Sequence, residues 1–502
     1  MDAGKEFSRL SRSYVAGGVL RESTSDAVVP VLDPATGQPL GEIAECTPAE
    51  IDEVVALAVA AQRAWRKESA LVRAEKLHEA AQAMRRLQPD VAELLTREMG
   101  KPYKESADEV RWSVTATDYY AEIGRHDIGH VVGPAVAGQM HYSVKEPMGV
   151  VVVVLPFNYP LVLLCWEAIA ALAAGNAVIV KPSEYTSLTT LKFMEVFEVL
   201  PPGLVQCVTG GAAVGNQLVT HADTHMIAFT GSVPTGQAIA RACAETFKPH
   251  LIEASGNDPF LVMPSAPLRT AARGAAFASF LNCGQVCTSA ERIYVHTDVY
   301  DQFAELLVEE AAKLRVGNGL EAVDMGPMVS AKERDRYERI LARAVEQGAR
   351  VAHGGGRPDG LDDGFFLEPT VLVDVTPDMD VVNGEVFGPM APLVRVVSFE
   401  EAIRLANASP FGLGSNLYST DLREVHAAVD QIEAGMVWVN APLLDNDAGP
   451  FGGRKLSGTG RQLGAEGLDT FRHTKFVMID PAAADEDFWW FPYGDDESFP
   501  GR

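Results

Sequence analysis

Five short apolar runs decide the fold: Val150-Val-Val-Val-Val-Leu155, Ala177-Val-Ile-Val180, Leu204-Val-Gln-Cys-Val-Thr-Gly210, Met226-Ile-Ala-Phe-Thr-Gly231 and His250-Leu-Ile-Glu-Ala-Ser255. The stretches between them, at 163–175, 186–199, 215–222 and 235–247, carry helix-forming residues. Strands that are apolar on both faces and separated by helices describe βαβ units around a buried parallel sheet. In such a sheet, ligands bind beyond the carboxyl ends of the strands. Pro147 to Trp166 is 20 residues without a charge, long enough to span a bilayer. Pro156, Asn158 and Pro160 interrupt it, and the valines favour a strand, so it reads as buried strand, loop and helix.

Outward from this block, residues 51–97 read as helices, as does the stretch from about 105 to 123. A second α/β region follows from about 257. Its helices fall near 266–282, 298–315, 330–348, 399–408 and 421–433. Its strand candidates are ERIYVH, TVLVDV, APLVRVV, SNLYST and GMVWVN. The expected class is α/β, and the 502 residues are enough for several domains.

The chain carries 42 Lys and Arg against 68 Asp and Glu, a net charge of −26. So acidic a surface repels phosphate backbones and anionic lipid, which argues against nucleic-acid and membrane partners. Six cysteines in this length make no disulfide framework and no zinc spacing, so no metal site is expected. Low cysteine use and an N-terminus with no apolar core lead to the expectation of a cytoplasmic protein.

Three stretches carry chemistry. Gly231 and Ser232 leave a strand just before a helix, which suits a pyrophosphate. Lys181 and Glu184 end another strand, where both can face a ribose. A carboxylate there repels a 2′-phosphate and favours NAD over NADP. Gly210-Gly211 and Gly215-Asn216 approach a phosphate loop, but Asn216 replaces the lysine, so they read as a plain turn. Cys287 follows a Gly284-Gln285 turn and precedes a strand, a junction where function concentrates. Cys283 reads as packing.

Taken in order, Pro156-Phe157-Asn158-Tyr159-Pro160, Lys181-Pro182-Ser183-Glu184, Phe229-Thr230-Gly231-Ser232, Glu253, Gly284-Gln285-Val286-Cys287, Glu385-Val386-Phe387-Gly388-Pro389 and Pro450-Phe451-Gly452-Gly453 resemble the aldehyde dehydrogenase superfamily, over roughly residues 27–480. The resemblance implies a Rossmann-like parallel-sheet NAD domain (1–126 and 146–255), an α/β catalytic domain (256–472), and a small β oligomerisation element with the tail (127–145 and 473–502). It further implies a homodimer or homotetramer. It makes Cys287 the nucleophile, Asn158 an oxyanion donor with the Cys287 N–H, and Glu253 the base that hydrolyses a thioester. Lys181, Glu184, Gly231, Ser232, Glu385, Phe387 and Phe157 would hold the cofactor.

The chain departs from the family at three points. Ser255 replaces the first glycine of Glu-Leu-Gly-Gly-Lys. Glu167 stands where many members have Lys. Leu281 stands where succinic semialdehyde dehydrogenases carry Arg, which argues against that substrate. Trp112, Trp166, Val286, Thr288, Leu443 and Phe451 form the expected aldehyde pocket, which favours an apolar or aromatic aldehyde. Arg111 offers a small anionic aldehyde as the alternative. The competing functions are a CoA-acylating dehydrogenase, which Glu253 speaks against, and a catalytically retired scaffold. An active Cys287 is expected to alkylate quickly at neutral pH. The aromatic group Phe488 to Tyr493, inside an acidic tail, is expected to dock on protein.

Overall fold

The computed structural model describes residues 2–126 and 128–482. The tail containing Phe488 to Tyr493 lies outside them. The five expected strands form the parallel centre of an eight-stranded sheet. Across the sheet they run His250–Ala254, Met226–Gly231, Val150–Val154, Ala177–Lys181 and Val205–Cys207. The first strand in sequence lies at the middle, and the chain winds outward from it in both directions. The crevice between Val150–Val154 and Met226–Gly231 is the switch point of the sheet.

The helix after the first strand spans Pro160–Ala173, with Pro160 in its first turn, where a missing N–H costs nothing. All its residues are buried, so its sequence shows no amphipathic stripe. No helix of the described residues is long and apolar enough to cross a membrane.

Three parts of this layer had no counterpart in the sequence reading. Ser13–Ala16 and Val19–Glu22 extend one sheet edge antiparallel. Gly458–Thr459 closes the other edge against His250–Ala254. Val28–Leu32 and Pro39–Ala44 make a separate hairpin. Runs of two to six residues are too short to show a periodicity.

The chain passes from Ala254 straight into a second, seven-stranded sheet. Its central strands Asp258–Val262, Ala290–His296 and Met390–Val396 pair in parallel. The carboxyl ends of the first sheet therefore meet the amino ends of the second, and Cys287 stands just before Ala290–His296. A third sheet joins Arg472–Ile479 to Met140–Pro147 over eight paired positions, with Val131–Val132 at its other edge.

Candidate active site

Glu253 lies near the carboxyl end of its strand, opposite Thr230 in the parallel register. It is 2% exposed, and neither carboxylate oxygen has a hydrogen-bond partner among the described residues. Burial raises its pKa to about 7, and the Thr230 hydroxyl and the Cys287 thiol beside it pull the other way. A strand-end carboxylate this dry, facing a thiol, is poised to take a proton near neutrality.

The Cys287 thiol is pushed well up by burial and by the carboxylates of Glu253, Asp258 and Asp445. These surroundings favour the neutral thiol over the thiolate. Gly256 explains how the nucleophile loop approaches the Glu253 strand so closely. A Cβ on Gly256 would lie 2.1 Å from the Cys287 carbonyl oxygen. Ser255 takes the neighbouring position instead, where its backbone carbonyl accepts from Ser457 Oγ at 2.8 Å. The turn ahead of the nucleophile is strained: Asn282 and Cys283 have φ of 51° and 56°. Glu105 holds that turn by accepting from Asn282 N at 3.1 Å. Cys283 is packed, its thiol 3.7 Å from Met328 Sδ.

Asn158 arrives from the loop after Val150–Val154. Its side-chain amide donates to Gln285 O at 3.0 Å, beside the nucleophile loop. Its backbone carbonyl accepts from Lys101 Nζ at 2.5 Å and from Asn282 Nδ2 at 3.3 Å. Lys101 also donates to Glu109 Oε2 at 2.6 Å, and both side chains have zero exposure. Glu109 Oε1 in turn accepts from Leu161 N at 2.7 Å, capping the helix Pro160–Ala173 from another element. Sequence reasoning missed this pair, because its tie to Asn158 spans 57 positions from Lys101 and gives no local signal.

A cavity of about 650 Å³ opens at the switch point. Phe157, Lys181, Glu184, Gly231 and Ser232 all line it. Lys181 Nζ lies 3.7 Å from Glu184 Oε2, and burial lowers the lysine's pKa. The helix Val233–Ala244 begins here with no side-chain cap, so its first N–H groups remain available to an anion. Gly211, Gly215 and Asn216 line the same cavity, so the glycine turn read as plain belongs to it. The signal was there: a glycine pair at a strand's carboxyl end, ahead of a helix. An elongated space with a Lys–Glu pair at one strand end and an uncapped helix at another fits a dinucleotide.

Glu385 and Phe387 come from the second sheet's side. Glu291 fixes their turn by accepting from Val386 N at 3.0 Å and Phe387 N at 2.7 Å. The Phe387 ring meets Phe157 edge-on at 5.9 Å. Burial, then Glu291, raise the Glu385 pKa to about 8.

On the aldehyde side, Trp166 and Phe451 pack with ring centroids 5.0 Å apart. Val286, Thr288 and Leu443 are buried as well. Trp112 and Arg111 line a different space, a cavity of about 530 Å³ that also reaches Tyr159. Arg111 is ion-paired with Asp108, and its side chain is 62% exposed.

Two facing sheets with a thiol, a dry carboxylate and an amide at their seam define a class of enzyme. The family model for the aldehyde dehydrogenase family matches residues 20–477, and the chain belongs to that family. Its sequence is 37% identical to 3-sulfolactaldehyde dehydrogenase of Pseudomonas putida, covering 95% of this chain and 98% of that one. It is 35% identical to betaine aldehyde dehydrogenase of Brucella melitensis biotype 2, over 95% and 99%. The fold superposes on betaine aldehyde dehydrogenase of Staphylococcus aureus in complex with NAD+, with TM-score 0.93, 30% identity, and coverage of 97% and 98%. A structure of 3,6-anhydro-L-galactose dehydrogenase with NADP superposes at TM-score 0.91, with 36% identity and coverage of 93% and 100%. These relatives favour a working dehydrogenase over the acylating enzyme and over the retired scaffold.

Proposed function

We propose that the chain oxidises an aldehyde to its carboxylic acid with NAD, with Cys287, Glu253 and Asn158 as its reacting groups. The observation that carries this reading is the buried Glu253 carboxylate beside the Cys287 thiol, both its oxygens unpartnered among the described residues, with the Asn158 amide held on the same nucleophile loop at Gln285 O.

Cys287, once ionised, adds through sulfur to the aldehyde carbon. The resulting oxyanion is met by the Asn158 amide and the Cys287 backbone N–H, donors that stabilise charge without giving up a proton. A nicotinamide dinucleotide would supply the hydride acceptor. Lys181 and Glu184 hold a ribose, and Ser232 with the uncapped helix holds the pyrophosphate. Phe157, Glu385 and Phe387 orient the reactive end. After oxidation the carbon is a thioester to Cys287. Glu253 takes a proton from water, whose oxygen attacks that carbon and expels the sulfur. Glu184 leaves no favourable place for a 2′-phosphate, which favours NAD over NADP.

Trp166, Phe451 and Leu443 give the acceptor side an apolar wall and support an apolar or aromatic aldehyde. Two relatives, named for sulfolactaldehyde and betaine aldehyde, mark how far substrate charge ranges among close sequences. The test is a panel of neutral, anionic and cationic aldehydes with NAD. Reduced dinucleotide should form with at least one, and silence across the panel overturns the reading.

The third sheet supports a homodimer or homotetramer. It leaves Val131, Phe476 and Met478 at 85%, 56% and 58% exposure beside open strand edges. Light scattering on the eluting protein should give two or four chains; a monomer overturns this.

A further inference from the structure

The backbone just ahead of the nucleophile takes an uncommon path. Asn282, Cys283 and Gly284 have φ of 51°, 56° and 69° in succession, all in the left-handed region. Glycine enters that region freely, and asparagine or aspartate at modest cost. A run of three survives only where the surroundings hold it. Here Glu105 accepts from Asn282 N at 3.1 Å. The Gln285 side chain donates to Asn282 O at 3.1 Å and accepts from Val329 N at 3.0 Å. On the far side, a Cβ on Gly284 would lie 2.2 Å from the Gly388 carbonyl oxygen, so the turn is pressed against that backbone.

What the turn presents is the Asn282 side chain, in a residue 1% exposed. Its Nδ2 donates to Asn158 O at 3.3 Å and to Gln285 O at 3.2 Å. The amide cannot be turned round, because its oxygen would then face two carbonyl oxygens. Asn158 Nδ2 donates to the same Gln285 O at 3.0 Å. The contacts close a ring: from the Asn158 carbonyl to the Asn282 amide, on to the Gln285 carbonyl, and back to Asn158 through its own side chain. Backbone and side chain of Asn158 are both fixed relative to a residue two places ahead of Cys287. One Asn158 amide hydrogen is spent on Gln285. The second, and the Cys287 backbone N–H, have no acceptor among the described residues. Asn282 Oδ1 is itself buried without a partner. An unpaired buried acceptor is costly, so stability alone does not account for this side chain.

We propose that Asn282 is a positioning residue of the oxidation: its amide clamps the Asn158 and Gln285 carbonyls together and so aims the Asn158 amide at the place where the oxyanion forms. This rests on the reading of Asn158 as an oxyanion donor. Asn282 touches neither aldehyde nor dinucleotide and acts only through Asn158. A donor stabilises developing charge best when it is already in place, because no reorganisation is then needed at the moment of attack. A displacement on the order of 1 Å is enough to lose about a hundredfold in rate. Lys101 serves the same Asn158 carbonyl, but its ammonium is also the partner of Glu109. Asn282 differs, because removing its amide strands neither carbonyl. Asn158 O keeps Lys101, and Gln285 O keeps the Asn158 amide.

The test reads the first turnover, the rapid appearance of reduced dinucleotide in stopped flow, because the oxyanion forms before hydride leaves. The aldehyde is the one from the panel that turns over fastest. Asn282→Gly suits the left-handed backbone and deletes only the side chain. Its first-turnover rate at saturating aldehyde should fall about ten- to a hundredfold, while NAD affinity and the half-saturating aldehyde concentration stay within about twofold. Asn158→Ala combined with Asn282→Gly should be no slower than Asn158→Ala alone, since the clamp then has nothing to aim. If Asn282→Gly does not fold, Asn282→Asp takes its place in both arms; aspartate tolerates the same backbone and offers the carbonyls no amide. A rate within about twofold of wild type, or losses that multiply in the double variant, overturns the proposal while leaving the dehydrogenase reading intact. Full speed in Asn158→Ala overturns the oxyanion reading, and the proposal with it. A wild-type protein that yields no reduced dinucleotide overturns the dehydrogenase reading itself.

Discussion

Two pairs of buried titratable groups flank the reacting centre, and they are built in opposite ways. On the Asn158 side, Lys101 gives its ammonium to Glu109, to the Asn158 carbonyl and to the face of the Tyr159 ring, 3.8 Å from its centroid. Glu109 accepts from the lysine and from the helix start. On the Glu253 side, Glu167 and Glu253 together leave three carboxylate oxygens without partners. A buried charge is tolerable when every proton and lone pair is used, and costly otherwise. The first pair builds; the second keeps proton-binding capacity in reserve, the arrangement expected where protons move.

The sharpest way to break this contrast is to remove the group that both sides serve. Cys287→Ser should cut oxidation by several orders of magnitude while NAD binding, followed by tryptophan fluorescence, stays within about twofold. Undiminished oxidation would leave neither pair anything to position.

Lys101→Met tests the building side. It strands the Glu109 carboxylate in a site with no exposure, so unfolding should become easier by ~3–5 kcal/mol. Denaturant titration reads this, and a midpoint within error of wild type would show the pair to be dispensable. Glu253→Gln removes a charge that no cation compensates. It should leave stability unchanged or improved while hydrolysis fails. Opposite stability outcomes from the two variants are what the comparison requires.

The same contrast explains what the sequence could disclose. The five valine- and isoleucine-rich runs announced the parallel sheet, because burial on both faces forces apolar composition. Cys287, Asn158 and Glu253 were readable because each stands at a strand or loop end inside a recognisable motif. Lys101 and Glu109 were silent, because their meaning lies in a fold that brings residue 101 to residue 158. Glu167 was visible as a departure from the usual Lys after Trp. Its link to Thr230 and Gln462 needed the register of neighbouring strands. The carboxylates that crowd Cys287 were not legible either, because a motif names a nucleophile without counting the groups the fold brings around it.

Asn158→Ala should lower turnover on the order of 10²–10³-fold, with a much smaller change in KM, since the amide works on charge that exists only after attack. Equal losses in binding and turnover would recast Asn158 as a loop-shaping residue. A milder effect comes from pH alone. Glu253 is protonated, and useless as a base, below its raised pKa of about 7. The steady rate should therefore fall about tenfold per pH unit on the acid side and rise as pH climbs through 7. A hydrolytic limb centred near 4.5, the ordinary carboxylate value, would mean that the site is wetter than its exposure implies.

The smallest effect is expected at Glu184, and it extends the contrast to the cofactor. Lys181 is buried, with 7% side-chain exposure, whereas Glu184 is 37% exposed at the cavity rim. Their 3.7 Å separation is an ion pair half open to water, where a ribose hydroxyl can replace solvent. Glu184→Gln keeps one acceptor oxygen and loses the charge. NAD affinity should therefore weaken only two- to tenfold, the worth of one hydrogen bond to a charged group. The carboxylate's repulsion of a 2′-phosphate disappears at the same time, so NADP affinity should rise and the preference between the two should narrow. Parallel weakening toward both dinucleotides would place Glu184 in the packing of the loop rather than against the ribose. The rim would then belong to the same building class as Lys101 and Glu109.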